Sequence, residues 1–215
     1  MKRIRNSGYR IQPGMSRFLL NAFERTLGKQ KFDKLCESVS NSIGYQDAFD
    51  RLPSEGLDFV VIAALVDKLE EVYGKRGGRG LGLRIGQEYF RIIFDRLRGV
   101  AGIGNLIEMD ETEEKKIAIG LRSISTLLTD TGDHIFILNK KTNAWYMDIY
   151  RSTALFQEQK ADIPSCYIMT GFFQTAVNTF SGTDEFTVNE TKCVNTGDDF
   201  CEFHIEKTQH VHTLV

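Results

Sequence analysis

Cys166, Glu190, Cys193 and Cys201 are four side chains able to bind a metal ion, and they are gathered into the last fifty residues of this 215-residue chain. For them to meet, the C-terminal segment must fold back as a hairpin onto whatever begins near Cys166, and no other sequence feature constrains the fold as much. If that hairpin turns about Gly197, Cys193 and Cys201 are directly opposed, with Cβ atoms roughly 4.5–5.5 Å apart. Cys166 is expected in the first turn of the preceding helix, where free N–H groups and the helix dipole favour the thiolate that binds metal. Glu190 and Cys193 are three residues apart and point to opposite faces of a regular strand, so their convergence predicts a bulge between them. Three sulfurs and one carboxylate in a closed tetrahedral shell suit zinc. Spacing alone leaves another arrangement open: a cross-strand thiol pair or disulfide at Cys193 and Cys201, with Cys166 a buried small hydrophobe and Glu190 on the surface.

Four cysteines in a chain with no apparent leader favour thiols or metal ligands over a disulfide framework. The start, Met1-Lys2-Arg3-Ile4-Arg5, is basic but lacks the apolar run of a signal peptide, so a cytoplasmic location is expected. The best apolar run, Phe59 to Val66, is far short of the ~20 residues that cross a bilayer. With 27 basic against 29 acidic residues the net charge is −2, which gives no basis for direct nucleic-acid binding. A composition of 41% hydrophobic and 26% charged residues is that of an ordinary globular protein.

No repeat or Ser/Gly-rich linker divides the chain, so one domain is expected over residues 16–207, with an extension at 1–15 and a tail at 208–215. Helical periodicity marks Phe18, Leu19, Ala22, Phe23 and Leu27, then Phe32, Leu35, Cys36, Val39 and Ile43, which places Cys36 on a core face. A third helix is predicted from Asp58 to Gly74, with solvated carboxylates at Asp67, Glu70 and Glu71. Gly77-Gly78-Arg79-Gly80-Leu81-Gly82 reads as a tight loop before a helix over 83–97, followed by another helix carrying Ile117, Leu121, Ile124 and Leu128. From His134 the period changes to two: strands at 134–138 and 144–150 form a hairpin. Pro164 opens a helix to about Phe180, and a second hairpin, 186–194 with 201–206, follows. The expected class is therefore α+β, an antiparallel sheet with helices packed on it and a helical N-terminal region.

Cys166, Gly171, Glu190-x-x-Cys193, Gly197-Asp198 and Cys201-x-Phe203-x-Ile205 resemble the closing signature of the 4-vinyl reductase domain family. This family includes predicted hydrocarbon-binding proteins and the sensor module of phenol- and xylene-responsive transcription activators. The segments Tyr73-Gly74-Lys75-Arg76-Gly77-Gly78-Arg79-Gly80 and Leu83-Arg84-Ile85-Gly86 resemble the middle of its stand-alone members. The resemblance implies that Cys166, Glu190, Cys193 and Cys201 bind a structural zinc beside a pocket for a small hydrophobic or aromatic molecule. It also implies a fold akin to haem-based nitric oxide sensors and vesicle-tethering subunits, often a homodimer formed through the N-terminal helices. Two departures stand out: Ile117-Ala118-Ile119 replaces the histidine that helps hold phenol, and Tyr150-Arg151-Ser152-Thr153 replaces an extra Cys-Pro-x-Cys. Phenol itself and a second metal site are accordingly not expected.

The glycine-rich segment lacks the G-x-G-x-x-G spacing, a preceding strand and a following Lys-Ser or Lys-Thr, so it is no nucleotide loop. Arg79 or Arg84 is expected to pair with an acidic residue, or alternatively to meet an anionic head group at a pocket mouth. Trp145 precedes Cys166 much as an effector-contacting tryptophan does in the phenol sensors, although core packing is its default role. Thr170, one turn after Cys166, and Val188, two residues before Glu190, are the other candidate pocket residues. His210 and His212, in the tail, are assigned nothing. The functional expectation is a non-enzymatic binding module, because a four-ligand zinc leaves no position for activated water. The alternative is a vinyl reductase-like protein or tetrapyrrole carrier, although no flavin or nicotinamide fingerprint is present.

Overall fold

The computed structural model describes residues 6–44, 49, 52–99, 104–142, 144–158 and 160–208. The predicted tail histidines His210 and His212 therefore lie outside the described residues. Two helices open the fold, α1 (Pro13–Leu27) and α2 (Lys29–Ile43), joined at Gly28. Short strands β1 (Arg10–Ile11) and β2 (Leu57–Asp58) pair antiparallel beneath them, with the one-turn helix α3 (Leu52–Glu55) between. Asp58 then caps the next helix: its Oδ1 accepts from the Val60 N–H at 2.9 Å and from the Ser7 hydroxyl at 2.8 Å. Asp58→Ala removes the cap and the tether of the N-terminal segment together. We expect a loss of about 1–2 kcal/mol, measured by urea unfolding.

Helix α4 (Phe59–Leu97) corrects the expected loop, because the glycine-rich segment is helical. Only Gly74 breaks the helical geometry, with φ 74° and ψ 160°, so the predicted stop is a kink at which the helix changes direction and continues. Gly78, Gly82 and Gly86 recur every fourth residue and form a stripe. A Cβ at Gly82 would lie 3.1 Å from the Tyr167 Cβ, and one at Gly86 only 1.9 Å from the Ile168 carbonyl oxygen. The glycines thus serve close helix packing, which overrides their poor intrinsic helix preference.

After α5 (Asn105–Glu108) and α6 (Glu113–Asp130) come β3 (Ile135–Lys141), β4 (Ala144–Tyr150) and a 3-10 turn (Thr153–Phe156). Helix α7 (Tyr167–Ser181), β5 (Phe186–Lys192) and β6 (Cys201–Lys207) complete the chain. The four long strands form one antiparallel sheet in the order β3-β4-β6-β5, as expected for an α+β protein. Trp145, Met147 and Ile149 of β4 point inward with Phe203 and Ile205 of β6, and Phe173 of α7 meets Phe203 edge-on at 5.2 Å. Helix α7 is therefore sandwiched between α4 and the sheet. No helix is long and apolar enough to cross a membrane among the described residues.

Candidate metal centre and the adjoining cavity

The last hairpin brings Cys166, Glu190, Cys193 and Cys201 together, with one potential ligand atom from each lying within 4.8 Å of the others. Cys201 opens β6, and Cys193 follows β5 directly across from it. The expected irregularity lies between Glu190 and Lys192, where the register shifts by one residue and turns Glu190 to the side of the cysteines. The intervening turn is held by its own backbone. Cys193 O accepts from the Thr196 and Asp198 N–H groups at 3.0 and 3.2 Å, and Cys193 N–H donates to Asp198 Oδ2 at 2.9 Å.

Cys166 differs in detail from its expected place. It is the N-cap of α7 rather than a residue of its first turn, with φ −79° and ψ 52°. Its free N–H donates to Glu190 Oε2 at 2.7 Å, which draws the carboxylate onto the helix start. The segment before it is fixed by Asn195, which is buried and whose amide donates to Ser165 Oγ at 3.3 Å and Gln157 Oε1 at 3.2 Å.

All four cysteines are free thiols, which removes the disulfide alternative. The three sulfurs of the cluster stand 3.6, 3.8 and 4.0 Å apart. Sulfurs around a tetrahedral ion at about 2.3 Å are separated by about 3.8 Å, so the triangle has the dimensions a zinc or similar ion requires. The other oxygen of Glu190, Oε1, is buried without a hydrogen-bond partner. Such an orphaned acceptor is rare and is satisfied by a cation. The Val194 N–H donates to Cys201 Sγ at 3.5 Å, the kind of outer donor that offsets accumulated negative charge.

Without a cation the cluster holds its charge on Cys193. Thiol hydrogen bonds from Cys166 and Cys201 keep Cys193 far below the ordinary thiol range. Cys166 is raised, first by its bonds to Cys193 and Cys201 and then by burial, which reverses the expected helix-end activation. For Cys201 the hydrogen bond from Cys166 pulls downward, but its bond to Cys193 and burial outweigh it and push the thiol up to about 12. Burial and then the Cys193 charge raise Glu190 to about 8. Cys36, the remaining cysteine, lies apart on α2, and burial pushes its thiol up to about 12.

Beside the cluster lies a cavity of about 70 Å³, several times the roughly 10–15 Å³ that one water needs on the same measure. Ile62, Leu69, Phe136, Ile149 and Met169 supply apolar wall, and Cys166 belongs to both the sulfur cluster and the lining. Glu70, Gln157, Ser165 and Tyr167 are shared with an outer cleft of about 480 Å³ that also takes in Arg76 and Arg79. Arg79 makes no ion pair among the described residues; its guanidinium lies 5.2 Å from the centre of the Tyr167 ring. Asp67 is not simply solvated as expected. It accepts from Gln157 Nε2 at 3.0 Å and Glu158 N–H at 2.8 Å, and burial raises its pKa.

The three candidate pocket residues lie outside this cavity lining. Trp145 is buried against Phe186, with ring centres 6.1 Å apart, and borders a separate charged cleft near Glu113 and Lys207. Thr170 turns its hydroxyl to Cys166 O at 3.2 Å, and Val188 is buried in β5 with its N–H on Gln174 Oε1 at 3.0 Å. His134, which the sequence marked only as the start of a strand, is a cavity residue instead. Its position at the junction of a helix and the first strand was the only available signal.

Among solved structures the chain is similar to the phenol-responsive sensory domain of the transcription activator PoxR, crystallised with phenol. The TM-score is 0.52 and the identity 15%, over 70% of this chain and 75% of that one. An H-NOX protein from S. oneidensis in the Fe(II)NO state matches with TM-score 0.57 and 14% identity, over 89% of this chain and 98% of its own. The Fe(II) unliganded H-NOX protein from K. algicida matches with TM-score 0.53 and 16% identity, over 94% and 99%. At these identities the likeness is one of fold. No curated protein matches in sequence. The family model that does match is that of the 4-vinyl reductase domain, over residues 145–207. The resemblance read from the sequence is thus to the same domain, and the matching segment contains all four converging side chains, the helix that begins beside Cys166 and the bulged hairpin.

Proposed function

We propose that the protein is a small-molecule-binding module, a sensor or carrier, in which a structural zinc held by Cys166, Glu190, Cys193 and Cys201 pins the last hairpin to α7. The adjoining cavity receives a small hydrophobic or aromatic molecule. The observation that carries this reading is the double membership of Cys166, which is at once a member of the sulfur triangle and part of the cavity wall. Four donors complete a tetrahedral shell, so the ion's role is to fix structure rather than to activate water. Phenol binding by PoxR supports an aromatic ligand class for this fold. A tetrapyrrole is disfavoured, because a cavity of about 70 Å³ suits a single ring. The homodimer and the cytoplasmic location belong to the same proposal.

Native mass spectrometry with metal analysis on the purified protein tests it. One zinc per chain, a dimer mass and a retained small molecule are expected, and a protein free of metal after purification in zinc-containing medium would overturn the metal assignment. Proton release provides a second test. Cys166, Cys201 and Glu190 are all raised and so hold protons at neutral pH. Zinc requires the deprotonated forms, so its uptake near pH 7 should release about three protons per ion, and its affinity should rise with pH. Calorimetric titration in two buffers of different ionisation heat measures this.

A further inference from the structure

The cavity holds one polar group with unfilled hydrogen-bonding capacity. His134 stands just before β3, at a junction clamped to the N-terminal strand: Asp133 N–H donates to Arg10 O at 2.9 Å, Arg10 N–H returns to Asp133 Oδ2 at 2.6 Å, and Gly132 bridges Ile11. Its ring lies against Phe59, with centres 4.2 Å apart and planes 30° from parallel, and 5.6 Å from Phe136. The imidazole is thus held in place by packing. Among the described residues none forms a hydrogen bond to either ring nitrogen. The ring's residual exposure is to the cavity it lines. A buried imidazole without partners is costly, and whatever fills the cavity relieves that cost.

We propose that His134 is the hydrogen-bonding anchor of the cavity, and that the ligand is an uncharged molecule of about one ring bearing a hydroxyl or carbonyl group. This inference rests on the reading of the cavity as a ligand site. Burial pushes the His134 pKa down to about 3, so the ring is neutral at ordinary pH and offers one donor and one acceptor. A hydroxyl can meet either nitrogen, and a carbonyl can accept from the protonated one. No lysine or arginine lines the cavity among the described residues, so a carboxylate would find no counter-charge there. Of the other titratable groups facing it, Tyr89 is kept as a neutral phenol by burial, and Cys166 belongs to the sulfur cluster. Glu70 and Tyr167 stand where the cavity meets the outer cleft. The outer arginines therefore line the approach rather than the seat, and an anionic head group is not required.

The test titrates the full-length, zinc-loaded protein with phenol, benzene and benzoate, and repeats it with His134→Phe and His134→Gln. Wild type should bind phenol about tenfold tighter than benzene and benzoate more weakly than phenol. His134→Phe should keep benzene binding and lose the preference for phenol, and His134→Gln, whose amide still donates and accepts, should retain part of it. Equal wild-type affinities for phenol and benzene, a preference that survives in His134→Phe, or tighter binding of benzoate would overturn the anchor while leaving the cavity a ligand site. Failure of all three probes to bind wild type would overturn the ligand-site reading itself.

Discussion

Cys193→Ala should empty the metal centre and cost several kcal/mol of stability, because binding of a structural metal is coupled to folding. Cys193 is the member on which the cluster converges: it is fully buried, and both other thiols donate to it. The turn that follows should survive, since the Cys193 backbone bonds to Thr196 and Asp198 do not involve the sulfur. What is lost is the tether between the hairpin and the start of α7. The measurement is metal content together with thermal unfolding, with and without a chelator. Chelation should lower the melting temperature of wild type toward that of the variant and leave the variant unmoved. Unaltered zinc content and melting temperature in Cys193→Ala would exclude the proposed centre.

Gly171→Ala should be comparably damaging, for a different reason. A Cβ there would stand 2.1 Å from the Leu83 carbonyl oxygen, just as one at Gly86 would strike the Ile168 carbonyl. Both obstacles are helix backbone, which cannot turn aside as a flexible side chain can. The two helices would have to part, opening gaps around Phe90 and Phe172, which pack edge to face at 5.4 Å. A loss of about 3 kcal/mol or more is expected, at the upper end for overpacking. Gly80→Ala provides the contrast: nothing lies within 4 Å of a Cβ at this exposed helical position. There alanine should stabilise by about 0.5–1 kcal/mol. Parallel urea unfolding of the two variants checks both signs.

The amphipathic stripes of α1, α2 and α6, the two hairpins and the crowding of Cys166, Glu190, Cys193 and Cys201 were legible because each rests on local periodicity or turn chemistry. The bulge was legible too, since Glu190 and Cys193 cannot share a face without one. The helical state of 75–82 was not legible, because isolated glycines disfavour helix and the packing that rescues them comes from α7, about ninety residues later. The four-residue spacing of Gly78, Gly82 and Gly86 was the overlooked signal. Cys166 was misplaced by one position because Pro164 suggested an earlier start, whereas the Glu190 carboxylate holds its N–H just outside the helix. Cavity residues were the least legible. His134, Ile62 and Met169 meet only when three separate elements assemble, and the candidates Trp145, Thr170 and Val188 were chosen by distance along the chain.

The register shift between Glu190 and Lys192 carries a consequence for how this kind of centre can be inherited. An ordinary strand offers its side chains to alternate sides, so a carboxylate and a thiol three positions apart reach one point only where a supernumerary residue intervenes. Coordination here is written in the count of residues as much as in their chemistry. A descendant one residue shorter at Thr191 would retain every donor atom and still present its acid to the opposite side of the sheet.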